Sequence, residues 1–384
     1  MATESFEIRI PFQKLLIGLA LALVPLSAVG LYSITQTDKS LEKTIGSHFK
    51  TIADTTAAEI AQYIHDRVVD VGQIANDPAV TSAVVASNRS YRGVSDDAVA
   101  SKFQRLDKIW NTPAASPFVE EILSSPASRL LRRHRDLDLR FLRITVSDER
   151  GATVAATHKT LDYAQADEKY WLNIYAQGRG AISLTDVLYD EVTKSNYIGV
   201  GVPVLEENSS RFIGTVDALV DISTLFPIVN RAQIGPAGRI ILVKEDGTVI
   251  SAPHMTLSMK QKSAEYRAAQ EAMGTLRGQQ IGYTVAEVPA MGRNLIAFAD
   301  TGLKRDYSNL AWFVVVCQST SEAFAPIRLV DRLIISVSLM ALALLTLLLV
   351  YFALHRKEPF AEIGELHHEA AAKNEAKTAV GPVQ

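Results

Sequence analysis

The sequence lacks the features that identify a disulfide scaffold, a nucleic-acid-binding protein or a common enzyme. Its 384 residues include one cysteine, so an intramolecular disulfide and a cysteine-rich metal site are both excluded. The net charge is −3, which leaves no excess of positive charge for a nucleic acid. We find no phosphate-binding glycine loop, no Gly-x-Ser-x-Gly and no His-Glu-x-x-His. We therefore predict no catalytic residues, metal, cofactor or nucleic-acid partner.

Charge is also missing from two long apolar segments. Residues 15–34 carry no charge after Lys14, and residues 333–354 carry none between Arg332 and the basic segment 355–357. About twenty helical residues, at roughly 1.5 Å each, cross a hydrocarbon core of about 30 Å. Each segment therefore predicts a transmembrane helix. A cleaved signal peptide is the alternative for the first one.

Basic residues flank the outer ends of both segments, which places both termini in the cytoplasm. The predicted order is a cytoplasmic N-terminus (1–14), a span (15–34), an ectodomain (35–325), a span (333–354) and a cytoplasmic tail (355–384). We expect a two-pass protein of a bacterial inner membrane with its ectodomain in the periplasm. The tail is too short for a kinase or a methyl-accepting coiled coil. The chain is then a sensor subunit that signals through a separate kinase or chemotaxis partner, or a truncated receptor.

Helical periodicity continues beyond the first apolar segment. Apolar residues recur at spacings of three, four, seven and eight, which predicts one long helix over residues 35–75. This stripe comprises Ile45, Phe49, Ile52, Ile60, Ile64, Val68, Val71 and Ala75. The segment 76–78, Asn-Asp-Pro, ends the pattern.

At Arg140 the hydrophobic period changes from 3.6 to 2, which predicts strands. Residues 144–158 and 241–254 share one pattern, a strand, a turn with Asp and Gly, and a return strand. The other predicted strands cover 181–184, 197–205, 212–222, 295–301 and 312–318, and a helix covers 167–177. We predict an α+β fold in which two tandem antiparallel-sheet modules, about 138–225 and about 236–320, follow the long helix.

This order of elements resembles the double Cache family of bacterial extracytoplasmic sensors, which consist of two PAS-like modules. The resemblance covers residues 35–325, and its most specific stretches are 162–171, 185–190 and 202–204. It implies a homodimeric membrane receptor that binds a small molecule in its membrane-distal module, here about 138–225.

Aromatic and acidic residues of this first module are candidate ligand contacts. The candidates are Tyr163, Asp167, Tyr170, Trp171, Asp190 and Asp217. Aromatic faces attract a cationic group, and carboxylates accept charge-assisted hydrogen bonds, so the set predicts an amine or another polar solute. The alternative is that Tyr170 and Trp171 pack the helix onto the sheet while Asp167 caps it.

The resemblance departs from the pattern of amino-acid-binding members at two positions. Those members have an arginine where this chain has Glu168, which would repel a ligand carboxylate. They have an aspartate where this chain has Leu219, although Asp217 lies two residues away and so on the same side of a strand. An α-amino acid ligand is therefore disfavoured. Arg143 is another possible source of positive charge.

Two alternative functions remain open from the sequence. The ectodomain of a structural envelope protein would dock another protein and bind no small molecule. A hydrolase would need paired carboxylates in different environments, such as Asp186 and Asp190. The basic segment 130–135 predicts a solvated helix face. Cys317, in an apolar segment, is interpreted as a core residue.

Overall fold

The computed structural model describes residues 12–112, 116–191, 194–231, 234–235, 238–253, 255–257, 260–272 and 280–354. It divides into two compact units. One unit is 44–323, which contains both sheets, and the other comprises the terminal segments 1–43 and 324–384.

A single helix, α1 (Phe12–Ala75), contains both the N-terminal apolar segment and the predicted long helix. The predicted stripe is confirmed, since its residues from Phe49 onward lie in the main core, with Ile52 and the preceding Ile45 half-buried against it. The helix ends before Asp77, whose carboxylate accepts a hydrogen bond from the backbone N–H of Ala79 at 2.8 Å. This bond caps the next helix.

Four shorter helices follow and pack around the first sheet. They are α2 (Pro78–Arg89), α3 (Asp96–Trp110), α4 (Pro117–Ser124) and α5 (Pro126–Leu137). Proline begins three of them, because its fixed φ suits the first helical position and its missing N–H has no partner to lose there. Pro78, which ends the pattern of the long helix in the sequence, is therefore the start of the next helix.

The first antiparallel sheet has the order β2-β1-β6-β5-β3, with β4 also paired to β5. Its strands are β1 (Phe141–Asp148), β2 (Thr153–Ala156), β3 (Ser183–Leu184), β4 (Leu188–Asp190), β5 (Ser195–Leu205) and β6 (Phe212–Asp221). Helix α6 (Lys169–Tyr175) lies between β2 and β3 in the chain. The predicted strands are present with ends shifted by at most two residues, whereas β4 was not predicted.

The second sheet has the order β10-β11-β12-β7-β8-β9. Its strands are β7 (Arg239–Lys244), β8 (Val249–Ala252), β9 (Met255–Thr256), β10 (Ile281–Val288), β11 (Gly292–Asp300) and β12 (Trp312–Ser319). Its helices are α7 (Phe226–Arg231), α8 (Ala264–Ala272), α9 (Leu303–Asp306) and α10 (Thr320–Ala323). Strand β10 was not predicted.

The repeated strand-turn-strand pattern has the same chemistry in both modules. Asp148 accepts hydrogen bonds from the backbone of Arg150 and Ala152, and Asp246 accepts one from the backbone of Thr248. An aspartate that bonds to the backbone two residues later stabilises such a turn. Two antiparallel sheets on a long N-terminal helix are therefore confirmed.

Helix α8 and the second sheet enclose a cluster of buried apolar residues. Cys317 belongs to this cluster, together with Tyr266 and Phe298, and is 2% exposed. Burial raises the pKa of its thiol to about 12. The interpretation of Cys317 as a core residue is confirmed.

Helix α11 (Ala325–Leu354) belongs to the terminal unit, together with the N-terminal part of α1. Over the side chains that the structure describes, neither helix combines the length and apolar character expected of a membrane span. Residues 1–11 and the predicted tail 355–384 lie outside the described part of the chain.

Candidate functional site

Helix α6 covers one face of the first sheet because two glycines of β5 leave room beneath it. A Cβ added at Gly201 would lie 2.4 Å from Ile174 Cδ1 of α6. One added at Gly199 would lie 2.8 Å from Thr185 Oγ1. Any larger residue at these positions would displace the helix or the segment after it. We call this side of the sheet the α6 face.

Polar side chains of β1 and β6 lie on the α6 face. Asp217 on β6 pairs with Gly201 on one side and with Thr145 of β1 on the other. Directly paired residues of antiparallel strands point to the same face, and so does Arg143, two residues from Thr145. The opposite face carries Ile144 and its apolar neighbours in the main core.

Asp217 is a buried carboxyl group that lies close to an arginine without a hydrogen bond to it. Its side chain is 5% exposed, and its Oδ2 lies 3.8 Å from Arg143 Nη2, beyond hydrogen-bond distance. Burial raises the pKa of Asp217 to about 6, and the charge of Arg143 opposes the rise. Burial also raises the pKa of Tyr170 on α6, and the charge of Asp217 adds to this effect. The three ionisable groups are therefore electrostatic neighbours.

Three buried polar atoms on or above the α6 face have no hydrogen-bond partner within the described part of the chain. They are Arg143 Nε, Thr145 Oγ1 and Trp171 Nε1. Buried polar groups normally have partners, so these atoms can receive the polar groups of a bound molecule. Arg67 Nε and Asn196 Oδ1 share this property elsewhere in the fold.

The predicted contacts Trp171 and Tyr170 both lie on α6. Trp171 is 4% exposed, stacks on Tyr175 with ring centroids 4.9 Å apart, and meets the edge of Phe212 at 6.1 Å. The hydroxyl of Tyr170 donates a hydrogen bond to Gln165 Oε1. Both rings pack α6 onto the sheet, while the indole N–H keeps its hydrogen-bonding capacity.

The predicted contact Tyr163 packs in a separate aromatic cluster. Its ring lies 5.8 Å from both Phe103 and Trp110 and 5.2 Å from Phe118, between centroids. Its backbone N–H donates to Asp107 Oδ1 at 2.8 Å. This cluster joins α3 and α4 to the loop before α6.

Asp167 and Asp190 do not join the group on the α6 face. Asp167 is exposed, and Glu168 instead occupies the N-cap position, without a side-chain capping bond. The suggested capping role of Asp167 is therefore wrong. Asp190 pairs with Ser195, six residues along β5 from Gly201 and hence about 20 Å away.

A cleft of about 320 Å³ opens beside the start of α6, within the size range of small-ligand sites. Its walls are Lys169, Tyr170, Asn173, Thr185, Asp186 and Asn309. Sequence reasoning missed Asn309 because it belongs to the second module, and no motif pointed to Lys169, Asn173 or Thr185. Of the set, Tyr170 was predicted as a contact and Asp186 only as half of a catalytic pair.

Asp186 joins the two modules. Its Oδ1 accepts a hydrogen bond from Trp312 Nε1 at 2.9 Å, and its Oδ2 pairs with Lys244 Nζ at 2.8 Å. Asn309 Nδ2 also donates to the carbonyl of Leu184 at 2.9 Å. These contacts give Asp186 a structural role between the first and second sheets.

The basic segment 130–135 is only partly a solvated face, since Arg133 is exposed while Arg132 and Arg135 are half-buried. Arg132 donates to the carbonyl of Leu123 at 2.5 Å, and Arg135 Nη1 lies 2.8 Å from His158 Nε2. Burial lowers the pKa of His158, and the charges of nearby arginines, including Arg143, lower it further.

No cluster of three potential metal ligands occurs among the described residues.

Comparison with known proteins finds similar solved structures and one matching family model. Three solved ligand-binding domains are similar in fold, with sequence identities of 12–15%. That of the Pseudomonas aeruginosa PAO1 amino acid chemoreceptor PctC, in complex with GABA, is 14% identical, and the match covers 72% of this chain and 100% of that one, with a TM-score of 0.46. The ligand-binding domain of PctB of the same organism, in complex with L-Arg, is 15% identical; the match covers 74% of this chain and 98% of that one, with a TM-score of 0.43. The ligand-binding domain of CtaA of Pseudomonas fluorescens, in complex with L-serine, is 12% identical; the match covers 73% of this chain and 99% of that one, with a TM-score of 0.43.

No curated protein matches the chain. The Cache domain model, in its double Cache form, matches residues 37–327, which is most of the sequence and includes both sheets. The chain therefore belongs to the double Cache family.

Proposed function

We propose that this chain is a membrane-anchored sensor subunit that binds a small extracytoplasmic solute on the α6 face of its first module. The observation that carries the proposal is the set of buried polar atoms without partners in the described structure, Arg143 Nε, Thr145 Oγ1 and Trp171 Nε1. Arg143 and Thr145 lie beside the carboxyl group of Asp217 on the sheet, and Trp171 lies on the helix that covers this face. A purely structural core would leave such atoms at a cost of about 1–3 kcal/mol each, so a ligand that bonds to them would stabilise the fold.

The contacts that we propose follow from this geometry. Tyr170, Trp171 and Asp217 are the predicted residues that lie on or over the α6 face, and Arg143 and Thr145 complete the group. Tyr163, Asp167 and Asp190 remain candidate contacts on the strength of the sequence alone. A polar solute with both hydrogen-bond donors and acceptors fits the group best.

Membrane anchoring is supported by the apolar side chains of the terminal helices. Large apolar residues with more than half of their surface exposed include Ile17, Leu21, Val24 and Val29 on α1, and Leu333, Leu339, Met340, Leu342, Leu344 and Leu347 on α11. Apolar surface of this extent is stable in lipid or against protein, and not in water. We therefore place residues 15–34 and 333–354 in the inner membrane and 35–325 in the periplasm.

Signalling requires two receptor states with different affinities for the ligand. Helix α1 runs unbroken from Phe12 to Ala75, and its apolar stripe packs in the core beside the first sheet. A change in this packing is the simplest route from the ligand to the membrane helices. We propose that the chain acts as a homodimer and that a separate kinase or chemotaxis protein provides the output.

The test is thermal unfolding of the detergent-solubilised full chain in the presence of a broad panel of small solutes. At a concentration of about 100 Kd, a ligand adds about 2.7 kcal/mol to the stability. Trp171→Phe, which removes the indole N–H and keeps an aromatic ring, should lose most of this gain. Leu172→Ala, at an exposed position of the same helix, should keep it.

Two results would contradict the sensor proposal. One is a panel in which no solute raises the unfolding temperature of the wild-type chain. The other is an equal gain in Trp171→Phe and wild type for each active solute. A stoichiometric envelope protein that co-purifies with a chain inert to all solutes would favour the structural alternative.

A further inference from the structure

The middle of α1 contains a buried arginine that bonds to the first module. Arg67 is 8% exposed. Its Nη1 donates a hydrogen bond at 3.2 Å to Oδ2 of Asp138, which lies between α5 and β1. The guanidinium also lies over the ring of Tyr63, with 5.3 Å between Cζ and the ring centroid. A buried charge is costly unless it is paired and hydrogen-bonded, so the position of α1 depends on the partners of Arg67.

The same Nη1 atom has a second carboxylate within reach. Asp70, three residues further along α1, places its Oδ2 3.0 Å from Arg67 Nη1. Asp70 moves with the helix, whereas Asp138 belongs to the first module. The Nε of Arg67 is buried without a hydrogen-bond partner in the described structure. Arg67 therefore has one carboxylate on its own helix, another on the first module, and an unused donor.

Asp138 also has a second partner. Arg140 donates from Nε to Oδ1 and from Nη2 to Oδ2 of Asp138, each at 2.7 Å, and its backbone N–H donates to Oδ1 at 3.1 Å. The hydrogen bond from the Arg140 side chain is the main reason that the pKa of Asp138 lies below its usual value, although burial opposes this effect. The charge of Arg67 contributes less. Asp138 would therefore stay ionised and paired if Arg67 moved away.

These second partners make the bond between Arg67 and Asp138 easy to open. Breaking a buried ion pair is usually expensive, because it leaves a buried charge without a partner. Here Arg67 would keep Asp70, and Asp138 would keep Arg140, so both charges stay paired. Two arrangements of similar energy are what a conformational switch requires.

The contacts around Arg67 also reach the connection between the two modules. The hydroxyl of Tyr63 lies 2.6 Å from Thr224 Oγ1, in the short turn that follows β6. The backbone N–H of Asp221, at the end of β6, donates to the carbonyl of Arg140 at 2.8 Å. One group of contacts thus joins α1, the start of β1 and the segment that leads to the second module.

We propose that Arg67 is an exchangeable contact between α1 and the first module, bonded to Asp138 in one receptor state and to Asp70 alone in another. A ligand that favours one arrangement of the first sheet would shift this balance, and α1 would move relative to the sheet. This inference rests on the proposed sensor function for its purpose, and it names the contact that regulates α1. The exchange itself is measured without a ligand.

Urea unfolding of the full chain in detergent tests whether the two carboxylates replace each other. In Asp138→Asn and in Asp70→Asn, Arg67 keeps one carboxylate, so we expect the ratio of folded to unfolded chain to fall by less than about 10-fold. In the double variant Arg67 is buried without a carboxylate. The ratio should then fall by about 10-fold or more beyond the product of the two single losses, because residues that share a partner are not independent. Asp54→Asn, at an exposed position of α1, is the control and should leave the ratio unchanged.

A distance between two spin labels tests the movement directly. Glu59→Cys on α1 and Arg133→Cys on α5 provide exposed labelling positions. Cys317 should stay unlabelled because its thiol is buried. Asp138→Asn should shift the mean distance between the labels by about 1–2 Å, the usual scale of helix shifts at interfaces. Asp70→Asn, which leaves Asp138 as the only carboxylate, should keep the wild-type mean and narrow the distribution.

The outcomes separate this inference from the sensor function. Single losses that merely multiply in the double variant, or a loss well above 10-fold in either single variant, would overturn the exchange. The same distance distribution in Asp138→Asn and wild type would also overturn it, and this measurement decides if the double variant does not fold. A broad panel without any stabilising solute would contradict the sensor function and leave the exchange standing.

Discussion

Asp217 is a buried acid whose ionisation opposes folding. Its pKa rises from 3.8 to about 6, because burial disfavours the charged form more than Arg143 favours it. The groups that act on it are Arg143 from β1 and Tyr170 from α6. Between about pH 4 and 6 the folded chain holds a proton that the unfolded chain has released, so stability falls as the pH rises through this range.

Asp217→Asn should therefore stabilise the chain at high pH only. We expect the free energy of unfolding to rise by about 1–3 kcal/mol at about pH 8, where the wild type has an ionised buried carboxylate, and to change little at about pH 4. Urea unfolding at both pH values measures this. Asp162→Asn, at an exposed loop position, is the control and should change stability at neither pH. A stabilisation that does not depend on pH would contradict the burial argument.

The polar residues of β1 show what the sequence alone could have revealed about the site. Arg143, Thr145 and Ser147 alternate with Ile144 and Val146, so strand periodicity by itself places the three polar side chains on one face. Sequence reasoning used only Arg143 from this set. The assignment of this face to a ligand site needed Ile174 over Gly201, which is a contact between distant segments.

At the scale of elements, predictions succeeded where local pattern and packing agree. The apolar stripe of α1 follows directly from burial on one face, and the apolar residues of β5 and β6 lie in strands that are buried on both faces. Strand β10 was missed because most of its residues are half-buried at a sheet edge, where alternation is weak. Strand β4 was missed because it depends on pairing with β5. The environment of Arg135 on α5 was misjudged because its partner His158 is remote in sequence.

The position of α6 depends on Gly201, which gives a prediction at the element scale. In Gly201→Ala the new Cβ would stand 2.4 Å from Ile174 Cδ1, so the buried Ile174 side chain, or α6 with it, must shift. We expect a loss of about 1–3 kcal/mol in unfolding free energy, as for other overpacked cores, and weaker ligand binding. Gly72→Ala, where an added Cβ meets no atom within 4 Å, should instead stabilise α1 slightly. Urea unfolding and the thermal-shift assay measure both effects.

The result for Gly201→Ala can fail in two ways. Unchanged stability would show that α6 does not press on β5. Reduced stability with unchanged ligand binding would show that the position of α6 does not affect the site.

At the scale of the whole molecule, the two modules contact each other close to the proposed site. Lys169 and Tyr170 of α6 line the same cleft as Asn309 of the second module, and Asp186 in the cleft bonds to Lys244 and Trp312. A shift of α6 on ligand binding would therefore change the environment of these inter-module contacts. Both modules can then respond to one ligand.

The last prediction concerns Asp186 and its contacts between the two modules. Asp186→Ala leaves the partly buried Lys244 ammonium and the Trp312 indole N–H without their shared partner, so we expect a loss of about 1–3 kcal/mol in unfolding free energy. Asp186→Asn keeps an oxygen for the indole and loses only the ion pair, so its loss should be smaller. Asp246→Asn, which removes a more exposed ion pair with Lys262, is the control and should cost at most about 1 kcal/mol. Urea unfolding followed by tryptophan fluorescence, which reports on Trp312 and Trp171 in different modules, measures the series.

If the contacts of Asp186 couple the unfolding of the two modules, Asp186→Ala should also broaden the unfolding transition toward two steps, because each module then unfolds more independently. A single sharp transition at wild-type stability would show that the modules are held together by other contacts.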